Sequence, residues 1–165
     1  MARVAIVTGG TRGIGRAISE RLKADGFTVA ANYAGNDAAA QAFSSETGIA
    51  VYKWDVGSYE ACAEGIAKVE ADLGPVDVVV NNAGITRDAT LHKMTQAQWD
   101  DVIRTDLTSI FNMFYLGSFS KDVIVNNFTG FADPMRTMTF VQMFAITYYT
   151  MNTWAGAGFT LKKKM

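Results

Sequence analysis

With 165 residues, 49% of them apolar and 19% charged, the chain has the composition of one globular domain with a sizeable core rather than of a disordered segment. A formal net charge of −1 offers no basic field and argues against a nucleic-acid partner. The single Cys62 excludes an intrachain disulfide and suits a reducing cytoplasm, while the only histidine, His92, has no companion ligands and reads as a surface or loop residue.

The apolar run Val4-Ala5-Ile6-Val7 predicts a buried parallel strand. It begins so early that no secretory leader is expected. Directly after it comes Thr8-Gly9-Gly10-Thr11-Arg12-Gly13-Ile14-Gly15, and then an amphipathic helix over Ile14–Lys23 stopped by Gly26. Glycines at this junction let the backbone turn tightly and approach a phosphate closely. The helix N-terminus adds unpaired N–H groups and a partial positive charge. The stretch therefore reads as the pyrophosphate seat of a dinucleotide.

Phe27–Tyr33 predicts a second strand. The acid that binds a ribose 2′-hydroxyl in NAD-preferring folds is expected near its end, where Asn32, Tyr33 and Ala34 stand instead. Asp37 is close by but suits the first turn of the next helix, Asn36–Glu46, which Gly48 closes. Arg12, inside the glycine turn, is suited to pair with a 2′-phosphate, so NADP(H) is the expected cofactor; the alternative is a solvated turn residue. Ile49–Asp55 alternates like a third strand, and Ser58 caps a helix to about Leu73 that Gly74-Pro75 ends. Cys62 falls within that helical pattern as core filler. Val76–Val80 predicts a fourth strand, delivering Asn81-Asn82-Ala83-Gly84 at its C-terminal end, where ligands of open α/β sheets lie. Thr95 and Gln98 have capping-box spacing at the start of a long helix reaching roughly Tyr115.

The glycine turn and Asn-Asn-Ala-Gly, at this spacing, resemble the short-chain dehydrogenase/reductase family over about residues 1–115. That resemblance implies a Rossmann-like α/β fold with a doubly wound parallel sheet, of strand order 3-2-1-4-5 or a shortened version. It implies cofactor contacts from Thr8 to Gly15, Tyr33, Asp55 and Val56 at the adenine, and Asn82, Ala83 and Gly84. Asn81–Asp88 (Asn-Asn-Ala-Gly-Ile-Thr-Arg-Asp), Leu91–Met94 and Trp99–Ile103 look like the 3-ketoacyl-thioester reductase branch that serves polyhydroxybutyrate synthesis. Such a member reduces an acyl-CoA thioester, acetoacetyl-CoA, to the (R)-3-hydroxyacyl thioester with NADPH. Asp88 would lie at the substrate mouth, or serve only as a turn carboxylate.

Carbonyl reduction in the family rests on Asn, Ser, Tyr and Lys, because the arriving hydride leaves negative charge on oxygen that needs a positioned acid and donors. Here Asp106 stands at the position of the Asn, and Thr129, after a candidate fifth strand Val123–Asn127, at that of the Ser. No Tyr-x-x-x-Lys occurs: Tyr33, Tyr52, Tyr59, Tyr115, Tyr148 and Tyr149 are followed four residues on by Asp37, Val56, Ala63, Phe119, Asn152 and Thr153. The expected organisation is one truncated or frame-altered domain. Residues 1–130 form the dinucleotide-binding part, and 131–165 a divergent segment packed on it or partly disordered. Met138–Leu161 carries no charge and precedes three lysines; a core or interface helix is preferred over a membrane span because of its Gln, Asn and threonines. The alternative to an enzyme is a non-catalytic NADP(H)-binding or interaction module. Either is expected to be a cytoplasmic homo-oligomer.

Overall fold

The computed structural model describes residues 2–117. Expectations that fall beyond them (the strand Val123–Asn127, Thr129, Tyr148, Tyr149, Met138–Leu161 and the division at residue 130) lie outside the described residues.

Four parallel strands form one sheet in the order β3-β2-β1-β4: β1 Val4–Val7, β2 Thr28–Tyr33, β3 Ala50–Lys53 and β4 Val76–Val80. The expected winding is realised over these strands. The chain steps from β1 through α1 (Gly13–Ala24) to β2 and through α2 (Asp37–Thr47) to β3. Helix α3 (Tyr59–Leu73) then carries it back across the sheet to β4 on the other side of β1. Strand order therefore reverses between β1 and β4, and the carboxyl ends of these two strands are where open α/β sheets form their ligand crevice.

Alternation along the strands sorts the core into two layers. Val4, Ile6, Ala30, Tyr52, Trp54 and Val56 pack with Cys62, Ile66 and Val69 of α3 and with Met113. Val7, Val29 and Ala31 pack on the opposite face with Phe43 and Ile49, flanked by Ile18 and Leu22 of α1. Phe43 is 1% exposed, and burying a side chain of that size stabilises the fold by about 1.5–3 kcal/mol. The β1–β4 register slips once: Val4 pairs with Val76 but Ala5 with Val78. The Asp77 carboxylate at this irregularity accepts the Val4 N–H at 2.8 Å, keeping that donor satisfied.

Helix ends fall close to where the sequence places them. Gly26 takes φ +89° after α1, and Gly48 φ +64° after α2. Ser58 accepts the Ala61 N–H to cap α3, and Thr95 and Gln98 form a reciprocal capping box. The long helix expected to reach about Tyr115 is present over residues 96–117, but it is not regular throughout. The chain forms α4 over Gln96–Val102, widens into a π-helical segment over Ile103–Thr108, and resumes as α5 over Ser109–Gly117. A π turn adds a residue to the helical cycle, and such turns recur at functional sites. Here it leaves Thr105, Ser109, Asn112 and Met113 buried while Arg104 and Asp106 reach two different strand-end loops.

Candidate functional site

The crevice is built first by the turn after β1. Gly9 has φ +62° and Gly13 φ +52°, left-handed conformations that a side chain would strain. Their surroundings differ from those of their neighbours. A Cβ on Gly15 would run into the Gly9 carbonyl and stand 2.6 Å from Asn82 Nδ2, and one on Gly10 would lie 2.7 Å from the Val7 carbonyl. A Cβ on Gly13 would meet nothing within 4 Å. Gly10 and Gly15 thus permit close backbone packing, whereas Gly13 borders open space at the start of α1.

Thr8 and Asn82 lock this turn to the end of β4. Thr8 Oγ1 accepts the N–H groups of both Asn82 and Ala83 at 2.9 Å and donates to the Val80 carbonyl at 3.3 Å. Asn82 Nδ2 returns a bond of 2.8 Å to the Thr8 carbonyl and one of 3.3 Å to that of Gly9. Asn32, noted in the sequence only for not being an acid, is a third anchor. Its carbonyl accepts the Gly10 N–H at 2.9 Å, its Oδ1 accepts from the Gly9 N–H at 3.4 Å, and its Nδ2 donates to the Trp54 carbonyl at 3.0 Å. The signal that could have found it is an amide directly after the apolar run Val29-Ala30-Ala31, since a polar side chain 2% exposed must be hydrogen-bonded.

The N-terminus of α1 carries no side-chain cap: Arg12 occupies the N-cap with extended backbone and makes no capping bond. Ile14, in the first turn, is 75% exposed. The first N–H groups of the helix therefore lack a side-chain cap, and its positive dipole end borders the open space at Gly13, a seat suited to an anion. Thr11 and Arg12 immediately precede this helix start, Arg12 exposed. Among the described residues the Arg12 side chain makes no hydrogen bond or ion pair, its carbonyl alone accepting the Arg16 N–H at 3.0 Å, whereas the side chains of Arg16, Arg21, Arg87 and Arg104 all pair with carboxylates.

Further along the strand ends, Asp37 is engaged. Lys53 Nζ lies 2.9 Å from its Oδ1, and this bond, with one from Tyr33, holds the carboxyl below its ordinary range. Burial, then Asp37, pushes the Tyr33 phenol up. At the tip of β3, Asp55 Oδ1 accepts the Gly57 N–H at 2.8 Å and Oδ2 pairs with Arg104 at 2.6 Å. Burial alone would raise the Asp55 carboxyl, but the Gly57 N–H and Arg104 together hold it below its usual value. Val56 beside it points into the core at 4% exposure, and its carbonyl accepts from Asn112 at 3.0 Å. Any ligand contact by Val56 would fall to its main chain.

At the end of β4, Gly84 faces Asp106: a Cβ there would lie 3.4 Å from Oδ1, which accepts the Ile85 N–H at 2.9 Å. Burial pushes the Asp106 carboxyl up, opposed in part by that N–H. Asp88 lies exposed in the loop that follows, away from this cluster's bonds. Cys62 is fully buried, which pushes its thiol up to about 11 and leaves it core filler; His92 is exposed in the short turn Leu91–Lys93. Among the described residues no cluster of candidate metal ligands occurs.

A parallel sheet whose order reverses at β1/β4, with a glycine turn and an open helix N-terminus at that point, is the frame of a Rossmann-like dinucleotide fold. The family model for short chain dehydrogenases matches residues 3–119, and the chain belongs to that family. Over 113 residues it is 74% identical to the acetoacetyl-CoA reductase of Shinella zoogloeoides and 70% identical to that of Rhizobium meliloti, covering 68% of this chain and 47% of each relative. The chain thus spans about half the length of these relatives. A short-chain dehydrogenase/reductase double mutant from Serratia marcescens superposes with a TM-score of 0.67 at 28% identity, over 70% of this chain and 49% of that one.

Proposed function

We propose that the chain seats NADPH across the β1/β4 crevice and serves the reduction of acetoacetyl-CoA, or a close 3-ketoacyl-CoA, to the (R)-3-hydroxyacyl thioester. The observation that carries the cofactor reading is the uncapped start of α1, with open space at Gly13 and with the Arg12 side chain free of protein partners among the described residues. These features fit a pyrophosphate and a 2′-phosphate. Asp37, the carboxylate that follows β2, is taken by Lys53 and Tyr33. NADPH, when bound, supplies the hydride. The first N–H groups of α1 hold the pyrophosphate, Arg12 the 2′-phosphate, Asp55 the adenine, and Ala83 and Gly84 line the nicotinamide half. Asp88 stands at the substrate mouth, and Asp106 and Thr129 take the places of the family's relay Asn and carbonyl-orienting Ser. The substrate reading rests on the 74% and 70% identity to acetoacetyl-CoA reductases.

A second reading, cofactor binding without turnover, is favoured by two observations. Asp106 puts a carboxylate where the family has an amide donor, and the 165 residues contain no Tyr-x-x-x-Lys to deliver and tune a proton. Cytoplasmic location and homo-oligomeric assembly belong to the same proposal. Among the described residues no helix is long and apolar enough to cross a membrane, and Trp99 and Leu107 expose 51% and 36% of their surfaces on the α4 to α5 stretch. A monomeric mass by light scattering would sink the assembly.

The test is titration by NADPH fluorescence, followed by NADPH consumption with acetoacetyl-CoA. Arg12→Ala is expected to weaken NADPH binding about tenfold, the scale of one charge-assisted phosphate contact, and to leave NADH binding nearly unchanged. Turnover supports the reductase, binding without turnover supports the second reading, and failure of the native chain to bind either dinucleotide refutes both.

A further inference from the structure

The π-helical segment Ile103–Thr108 reaches two loops at once. Arg104 Nη1 pairs with Asp55 Oδ2 at 2.6 Å across 49 positions of sequence, while Asp106 Oδ1, two residues on, accepts the Ile85 N–H at 2.9 Å. The Arg104 side chain passes directly over Gly57, and a Cβ on Gly57 would collide with its guanidinium. The path exists only because residue 57 has no side chain. Asp55 is thereby held at both oxygens, Oδ1 by the Gly57 N–H and Oδ2 by Arg104. Each oxygen keeps one lone pair for a further donor.

As a stability device this pair is weak, since its side chains are 45% and 48% exposed and solvent screens such bridges. What a two-point hold does achieve is orientation: a carboxylate fixed at both oxygens accepts a third hydrogen bond without first losing its torsional freedom. Resting on the reading of the crevice as a dinucleotide site, we propose that Arg104 is a positioning residue for nucleotide binding, fixing Asp55 to receive the adenine amino group. The pair thereby ties recognition of the adenine end to the same helical turn that braces the β4 loop at the other end of the crevice.

Three consequences separate this role from that of a surface ion pair. Arg104→Met lowers affinity for NADPH and for adenosine 2′,5′-bisphosphate about tenfold, while reduced nicotinamide mononucleotide, which has no adenine, binds as before. Arg104→Lys, which keeps a cation within reach of Asp55, recovers most of the loss. Gly57→Ala, which displaces the guanidinium, reproduces the Arg104→Met defect.

The deciding experiment is a double-mutant cycle by titration calorimetry on the full chain with adenosine 2′,5′-bisphosphate, using Arg104→Met, Asp55→Asn and the pair. If Arg104 acts through Asp55, its replacement costs less than twofold in the Asp55→Asn background. If the same tenfold loss persists there, Arg104 acts only as a charge near a polyanion and the proposal is overturned. Equal affinity of Arg104→Met and the native chain overturns it as well, leaving the dinucleotide reading intact. Failure of the native chain to bind the bisphosphate or NADPH overturns both.

Discussion

Gly15→Ala places a methyl carbon against the Gly9 carbonyl and 2.6 Å from Asn82 Nδ2, in a place where both neighbours are anchored. Relief requires the turn to move away from the β4 loop. Overpacking of this kind costs about 1–3 kcal/mol. Stretching the two bonds from Asn82 to the Thr8 and Gly9 carbonyls adds about 1 kcal/mol each if they are lost. With both bonds lost the expected loss is roughly 3–5 kcal/mol, or a Tm lower by about 6–20 °C for a chain of this size. Gly13→Ala, two residues earlier, meets nothing within 4 Å. Its left-handed φ of +52° costs about 1–2 kcal/mol for alanine, offset by about 0.4–1 kcal/mol from the stiffer unfolded chain. Its stability therefore changes by about 1 kcal/mol, yet its methyl group fills the space before the α1 N-terminus and is expected to weaken NADPH binding at least tenfold. Urea unfolding followed by tryptophan fluorescence, beside NADPH titration, reads both quantities. A Gly15→Ala chain as stable as the native one would refute the packing argument. A Gly13→Ala chain with native affinity would refute the pyrophosphate seat.

Thr8→Val removes the oxygen that accepts from the Asn82 and Ala83 N–H groups, at about 1–3 kcal/mol for each donor left unpaired. Thr8→Ser keeps that oxygen and should remain within about 1 kcal/mol of native in the same urea experiment; equal losses for the two would show that the methyl group, not the hydroxyl, matters. Asp106→Asn retains an acceptor for Ile85 and removes a carboxylate whose affinity for protons burial has raised. Because the folded state binds that proton more tightly than the unfolded chain, the native protein loses stability as pH rises through the folded-state pKa. Asp106→Asn is therefore the more stable at neutral pH, with the gap closing on acidification below the ordinary carboxylate range. A gap that widens toward acid pH would contradict the assignment of burial as the cause.

Local signals in the chain carried much of this architecture. The apolar runs of β1 and β4, the Ser58 cap, the Thr95–Gln98 box and the Gly26 and Gly48 stops each depend on residues within a few positions, so they are legible without tertiary structure. The family signature around Gly9–Gly15 and Asn81–Gly84 located the crevice for the same reason. The π-helical turn at Ile103–Thr108 was not legible, because hydrophobic periodicity averages over several turns and hides one inserted residue.

The sequence by itself determined which strands form, how they wind, and that a glycine turn meets the start of a helix. Only the tertiary structure decided what each polar residue does there. Thr8 clasps the β4 loop across 74 positions, Asn32 holds the turn to β3, Asp37 is occupied by Lys53, and Arg104 reaches Asp55. Those partners are brought together by the parallel crossovers, and a hydrogen bond between residues so distant in sequence leaves no periodic trace in either segment.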